Sequence, residues 1–337
     1  MNGRLSITLV MPAYNANTLL PQVLSPVLAM RSAGEIDEVL VVDDCSTDGT
    51  AAAARAMGAT VMATPANGGP GVARNLAATV ATGDILWFVD SDVIAQPGGP
   101  ARIRAAMAAS EVAAVFGSYD ADPEGAYWFS RYKNLLHRFH HQTPRSDAST
   151  FWAGCGAVRA TAFRAVGGFD TETYRRPSIE DIELGYRLKA AGGRIVVDPA
   201  LEGKHLKVWS IRQSFRTDIF QRALPWARLM ISREGLTDEL NTSQAERARA
   251  GIALLLLLSI LALPFWPGLW PVPLVLGAAA VAVNVALARF LVRHGGVIFA
   301  AKSMAYHQFY YLYGATVFVW CLIEYHILGQ RDRLHVR

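Results

Sequence analysis

Residues 85–92 read Ile-Leu-Trp-Phe-Val-Asp-Ser-Asp, an uninterrupted apolar run that stops in two carboxylates one residue apart. A strand apolar on both faces belongs inside a sheet covered on both sides, as in the parallel sheets of α/β proteins. In open sheets of that kind, ligands gather beyond the carboxyl ends of the strands, which is where Asp90 and Asp92 fall. Residues i and i+2 of an extended segment point the same way, so both carboxylates face one point. Two hard oxygen anions suit Mg2+ or Mn2+, which take few protein carboxylates and complete their shell with water and phosphate. The plain alternative is a polar turn after a strand, and for an isolated Asp-x-Asp it is the better reading. The rest of the chain decides between them.

The segments before this run repeat its logic. Ser6–Met11 is a strand that ends at Pro12-Ala-Tyr-Asn15, with a helix expected over about 18–32. Glu38–Val42 is a second strand, ending in Asp43-Asp-Cys-Ser-Thr-Asp-Gly-Thr50, whose polar residues suit the start of an alanine-rich helix over 51–57. A short strand at Thr60–Ala63, a glycine loop at Asn67–Gly71 and a helix at Val72–Ala81 lead back to the run at 85. Strands alternating with helices at this spacing predict an open α/β sheet of mainly parallel order. Beyond Gly117 come an aromatic and basic segment (126–142), a helix from Ile182 to Ala190 and a strand at Arg194–Val197.

The carboxyl-terminal third is different. Only 18% of the 337 residues are charged, against about a quarter in ordinary soluble domains, and the deficit is local. No charged side chain occurs from Ala250 to Ala288, nor from Ser303 to Leu322. A spanning helix needs about 20 apolar residues, so this third reads as membrane-embedded. A hairpin of two spans is expected to break at Pro264–Pro273, with tryptophans at its turn. Arg289, Arg293 and Lys302 put the following loop in the cytoplasm by the positive-inside rule. A third segment, about 303–328, would carry the basic tail outside if it spans; that conflicts with the same rule and leaves a re-entrant or interfacial course open. Ile211–Met230 combines apolar residues near helical spacing with Arg212, Arg216, Arg222 and Arg228, as in a helix lying in a membrane interface, kinked at Pro225. The expected organisation is a catalytic domain over 1–230 that includes this helix (211–230), a linker over 231–249, a membrane domain over 250–328 and a basic tail over 329–337. No signal peptide is expected, because Met1–Arg4 lead straight into a strand. Cys45, Cys155 and Cys321 are scattered, which fits a reducing compartment and no disulfide framework. The pI of 9.0 points to anionic lipid rather than nucleic acid, since basic runs with stacking aromatics are confined to the membrane-proximal part.

Four strand-end clusters thus fall on one edge. The most specific are Val41-Val-Asp-Asp-Cys-Ser-Thr-Asp-Gly-Thr50, Gly71-Val-Ala-Arg-Asn75, Val89-Asp-Ser-Asp92 and Ile179-Glu-Asp-Ile-Glu183. In this order and spacing they resemble family 2 of the inverting GT-A glycosyltransferases, which use nucleotide-sugar donors; the likeness covers roughly residues 5–210. It implies an α/β, Rossmann-like GT-A domain in which Pro12, Tyr14, Asp43 and Asp44 hold the base and ribose. A carboxylate there can accept the imide N–H of uracil or the donors of guanine, so the donor is UDP- or GDP-linked. Arg74 would lie near the base or diphosphate, its alternative being a solvent-facing helix residue. Asp92, with Asp90 on the metal or ribose, would bind Mg2+ or Mn2+, and His205 resembles a late histidine that completes the site. A lone histidine is more often structural. Glu180-Asp181 resembles the acid pair on the acceptor side, with Asp181 the general base. The alternative is favourable charge at a helix amino terminus, and Glu183 fits that reading. Ser46 and Asp48 read as caps. Trp152 and Gly154, in Phe151-Trp-Ala-Gly-Cys155, fall in the loop that meets donor sugar and acceptor; Trp152 could equally be core.

Inversion onto a hydroxyl requires a base, whereas a phosphate monoester, with a second pKa of about 6, is already an anion. The intact acid pair therefore favours a hydroxyl of a lipid or lipid-linked glycan. A polyprenyl-phosphate acceptor and a non-catalytic membrane scaffold are the alternatives. A sugar-1-phosphate nucleotidyltransferase would need an amino-terminal glycine-rich phosphate loop where Pro12–Asn15 stands. Two departures from the family pattern matter. Ala16 and Asn17 stand where relatives often carry a carboxylate, and Gln221–Trp226 lacks the Gln-x-x-Arg-Trp of processive synthases, which favours transfer of a single sugar. Lys207 or Arg222 is left as a candidate for the diphosphate. Because nucleotide sugars are cytosolic, the expectation is a multi-pass inner-membrane enzyme with its catalytic domain in the cytoplasm. No nucleic-acid partner is expected, and a homo-oligomer is left open.

Overall fold

The computed structural model describes residues 4–142, 147–232 and 244–330. These divide into two compact units, one built from the chain up to Gly125 with Leu136–Val208, the other from Ala126–Leu135 with the chain from Trp209 onward.

The first unit contains β1 (Ile7–Ala13), α1 (Leu20–Ser32), β2 (Glu38–Asp43), α2 (Thr50–Ala56), β3 (Thr60–Ala63), α3 (Pro70–Val80), β4 (Ile85–Val89), β5 (Val93–Ala95), α4 (Gly99–Ala106) and β6 (Val112–Tyr119). Helix α5 (Trp128–His141) is divided between the units, and β7 (Cys155–Arg159), α6 (Ala160–Ala165), α7 (Glu180–Ala190) and β8 (Arg194–His205) complete the first. The eight strands form one sheet in the order β3-β2-β1-β4-β7-β6-β8-β5. β3, β2, β1 and β4 are parallel; β7 runs antiparallel to both β4 and β6, β8 is parallel to β6, and β5 is antiparallel to β8. All five residues of β4 are fully buried. Alternation sorts the side chains onto two cores. Leu9, Met11, Val41, Trp87 and Val89 face Leu20, Val23, Leu24 and Ile103 on α1 and α4. Val10, Val42, Leu86 and Phe88 face Ala73, Ala77, Phe163 and Leu184 on α3, α6 and α7.

The second unit is helical. α8 (Ile211–Arg216), a π-helical segment (Thr217–Ala223) and α9 (Leu224–Ser232) form one continuous rod. Where the kink is expected, the helix widens just before Pro225: the proline has no N–H and its ring crowds the carbonyl four residues back, which a π turn relieves. Then come α10 (Gln244–Ala262), a single 3-10 turn (Pro267–Leu269), α11 (Pro271–Val283) and α12 (Val285–His326), which breaks at Gly296 (φ +79°). The rod, expected to close the catalytic domain, packs instead within this unit. Phe215 stacks on Phe309 at 5.8 Å, and Arg228 makes two bonds to Glu324 at 3.1 and 3.0 Å. Lys133 of α5 is buried against both oxygens of Asp218, at 2.6 and 2.5 Å. The expected hairpin at Pro264–Pro273 forms, but its arms are short. Among the described residues no single helix is long and apolar enough to cross a membrane; the segments Pro267–Val283 and Val285–His326, bent by 76°, pass only as a pair. The linker over 231–249 and the tail over 329–337 fall largely outside the described residues.

Candidate active site

Parallel register brings the strand ends together. Ala13 pairs with Asp43 and Asp43 with Ala63, so Asp43 stands between the ends of β1 and β3 on the carboxyl edge. Its Oδ2 accepts the Ser46 N–H at 3.3 Å, while Oδ1 is buried with no partner among the described residues. A buried carboxylate oxygen left open is costly unless something fills it, and it is an acceptor of the kind a base N–H requires. Pro12 is buried beneath this edge, and the Tyr14 ring beside it is 53% exposed. The two loops are stitched together: Ser46 Oγ accepts the Asn15 N–H, and Asn15 Oδ1 accepts from Thr47 N–H at 2.8 Å. Asn15 and Cys45 adopt positive φ to make those turns (49° and 61°).

Asp44, expected beside Asp43 on the nucleotide, has another task. Its carboxylate accepts Thr64 Oγ1 (2.7 Å) and the N–H groups of Gly68 (3.0 Å) and Gly69 (2.7 Å). Both oxygens are spent on clamping the glycine loop that opens α3, because the β2 and β3 ends are adjacent strands. Asp48, read as a cap, stands one residue before the N-cap Gly49; its carboxylate accepts the Thr50 N–H and ties in the Asn17 N–H.

Arg74 is not solvent-facing. It is 3% exposed, lies over Phe169 (5.4 Å) and Phe88 (6.0 Å), and donates from Nη2 to Asp90 Oδ1 at 2.5 Å. Nη1 lies 3.6 Å from Glu180 Oε1, and Nε is buried with no partner among the described residues. Arg74 therefore ties the Asp90 turn to the acid pair of α7. That helix begins at Glu180, not Ile182, so both acids stand in its first turn. Burial, followed by the neighbouring Asp181 charge, pushes Glu180 up to about 7 against the pull of Arg74. Burial also raises Asp181, although its oxygens accept the N–H groups of Ala153 (3.2 Å) and Ile182 (2.9 Å). A carboxylate raised in this way is a stronger base than a solvated one.

Asp90 and Asp92 separate in function. Burial raises Asp90 despite Arg74. Burial works on Asp92 too, but the hydrogen bond and charge of His205, with Lys207 behind, hold it below the usual carboxylate range. His205 Nε2 lies 3.4 Å from Asp92 Oδ2, and its ring stacks on Tyr119 at 4.3 Å. The cause is topological: β5 pairs antiparallel with β8, and Val93, next to Asp92, is the partner of His205. An ionised carboxylate beside an imidazole fits a divalent ion. Among the described residues no group of three His, Cys, Asp or Glu converges closely enough to hold one unaided. Phosphate and water would supply the remaining ligands.

The Phe151–Cys155 loop joins these parts. The Ala153 N–H donates to Asp181, and the next carbonyl, Gly154, accepts from the Asp90 N–H at 3.2 Å. Trp152 lies against Tyr119 (4.9 Å), His137 (4.7 Å) and His141 (5.1 Å), and its ring covers Gly154, where a Cβ would come within 2.7 Å. Half-buried among aromatics, Trp152 is packed as much as presented. Tyr119 and Asn75 were not legible as site residues. Asn75 brackets Phe169 with two backbone bonds of 2.8 Å and so fixes the ring beneath Arg74.

The sequence profile of glycosyl transferase family 2 matches residues 8–167. The chain is 28% identical over 223 residues to the pre-mycofactocin glycosyltransferase of Mycobacterium tuberculosis, covering 62% of this chain and 45% of that protein. It therefore spans less than half the length of that relative. It is 31% identical over 210 residues to the N-acetylglucosaminyl-diphospho-decaprenol L-rhamnosyltransferase of M. tuberculosis, covering 51% of this chain and 67% of that protein. A mannosyltransferase from Pyrobaculum calidifontis, solved with GDP-Man and Mn2+, shares the fold at a TM-score of 0.57 and 20% identity, over 95% of this chain and 88% of that one.

Proposed function

The chain belongs to glycosyl transferase family 2, and on that premise we propose that it is a membrane-associated transferase moving one sugar, with inversion, from a UDP- or GDP-sugar to a hydroxyl of a lipid or lipid-linked glycan. Asp43 Oδ1 accepts the base N–H and the exposed Tyr14 ring covers the base. Asp92 and His205 would hold Mg2+ or Mn2+, which would supply positive charge against the diphosphate of the leaving nucleotide. Asp181 takes the acceptor proton; Arg74 keeps Glu180 and Asp90 in place around it. The observation that carries the reading is the Ala153–Gly154 dipeptide. Its two ends are bonded to Asp181 and to the Asp90 backbone, so a base and the donor-side carboxylates flank one point. The names of the relatives support the classes chosen: one carries GDP-Man and Mn2+, and another acts on a decaprenol-linked sugar.

The test is release of UDP or GDP by the purified chain from a panel of nucleotide sugars, with Mn2+ or Mg2+ and membrane lipid extract as acceptor. Asp181→Asn should reduce transfer about 10²–10⁴-fold, the usual worth of general base catalysis, while leaving nucleotide binding intact. Transfer to a polyprenyl phosphate that survives Asp181→Asn would replace the hydroxyl acceptor with a phosphate. Absence of any metal-stimulated nucleotide release would leave a scaffold.

A further inference from the structure

The second unit carries an extensive exposed apolar surface, and its geometry says how far that surface can enter a bilayer. The apolar part of α10 begins after Arg249 and ends at Ala262, and α11 runs for 13 residues. Each arm therefore rises about 20 Å, against about 30 Å of hydrocarbon. Arg249 Nε donates to the Val283 carbonyl at 3.1 Å, so both arms end at one polar base, and Arg289, Arg293 and Lys302 beyond it are exposed. Such a base suits anionic headgroups.

The turn between the arms is built for a dry place. From Ile260 to Val283 the only polar side-chain atoms are the indole nitrogens of Trp266 and Trp270. Phe265 and Trp266 are 75% and 63% exposed. The N–H groups of Leu263, Phe265, Trp266, Leu269 and Trp270 all donate within the turn, and Pro264, Pro267 and Pro271 have none to satisfy. Water would satisfy such donors on an ordinary loop; hydrocarbon would not.

The carboxyl-terminal half of α12 is fastened at several points to the α8–α9 rod. Phe215 meets Phe309, Asp218 meets Tyr313 (2.8 Å), Ala227 packs with Val317 and Cys321, and Arg228 meets Glu324. Both sequences ascend together, so the two helices run side by side. The rod exposes Arg212, Arg216 and Arg222 along its length, while Asp218 and Arg228 are paired with Lys133 and Glu324. A charge at the centre of a membrane helix costs at least about 2.5 kcal/mol, so the rod stays out of the hydrocarbon and holds α12 with it.

We propose that this unit is monotopic: α10 and α11 form a re-entrant hairpin that dips into one leaflet and returns to the face it entered, and α12 lies along that face without crossing. The basic tail then stays on the same side as the catalytic domain, and no conflict with the positive-inside rule arises. The proposal rests on the membrane association proposed above, and the experiment separates the two.

The full chain, with Gly268→Cys at the turn and a protease-cleavable tag after Arg337, is expressed in bacteria. Gly268 has nothing within 4 Å of an added Cβ, so the substitution is tolerated. Association with carbonate-washed membranes tests the premise. The tag should be protected in intact spheroplasts and cut in inverted vesicles. A membrane-impermeant maleimide, read by mass spectrometry of the peptide containing residue 268, should label it from neither side, and detergent should raise labelling at least 10-fold. A tag cut in spheroplasts, or labelling of residue 268 from either side before detergent, overturns the monotopic course while leaving membrane association standing. A chain found in the soluble fraction overturns both.

Discussion

Each unit buries a basic side chain against an aspartate, and the two pairs are finished differently. In the helical unit, Asp218 receives Lys133 on both oxygens, Tyr313 OH at 2.8 Å and Ser214 Oγ at 3.2 Å. In the sheet unit, Arg74 makes one close bond to Asp90, stands 3.6 Å from Glu180 and leaves Nε without a partner among the described residues, while Glu180 is pushed up to about 7. A saturated pair has nothing further to accept, so it serves as architecture. An incompletely satisfied pair can exchange partners when substrate arrives, and it sits among the residues proposed to do chemistry.

The largest effect expected from this contrast is in stability. Lys133→Met strands a buried carboxylate and should destabilise the protein by about 3–5 kcal/mol in thermal or denaturant unfolding. Arg74→Met should lower stability less, because Asp90 is partly exposed and Glu180 can hold a proton, yet it should reduce transfer. Equal losses of stability would erase the distinction. Next comes pH. Burial lifts Glu180 from 4.5 to about 7, so stability from this group is fully present below about pH 4.5 and is lost as pH rises through 7. The total is at most about 3 kcal/mol. Glu180→Gln should flatten that part of a melting-temperature profile between pH 5 and 8; an unchanged slope would place the proton elsewhere. On the same incompletely satisfied side, His205→Ala should raise the Mn2+ concentration for half-maximal nucleotide release about 10–100-fold, and an unaltered metal titration would remove His205 from the site. The smallest effect is Ser214→Ala. It takes one bond from a group that keeps three others, at about 1 kcal/mol, and a larger loss would show that the Lys133–Asp218 pair depends on every member.

Much of the sheet was legible. The strands at 7, 38 and 85 stand where apolar runs ended in polar clusters, because buried parallel strands leave that pattern whatever surrounds them, and the half-exposed edge strand at 60 stands where its short run was read. The strand-end pattern placed Asp43 and Asp92 on the edge, and family resemblance pointed to Asp181 at the start of α7. What the sequence hid were assignments between neighbours. Asp43 and Asp44 are adjacent and chemically identical, yet one keeps an open oxygen and the other clamps Gly68 and Gly69. Arg74 looked equally suited to solvent, and its place under Asp90 depends on Phe88 and Phe169, 14 and 95 residues downstream. In the last third, hydropathy identified apolar segments but not how far each reaches. Arm length, the break at Gly296 and the fastening of α12 to an arginine-bearing rod are properties of the folded unit.

The sequence by itself determined where strands end, which residue types gather at one edge and where charge is missing, since those follow from local periodicity and composition. The tertiary structure alone decided which carboxylate is spent, which is open and which meets His205. Those outcomes depend on strand register and on donors brought from distant segments, and a buried oxygen takes whichever N–H the fold sets beside it.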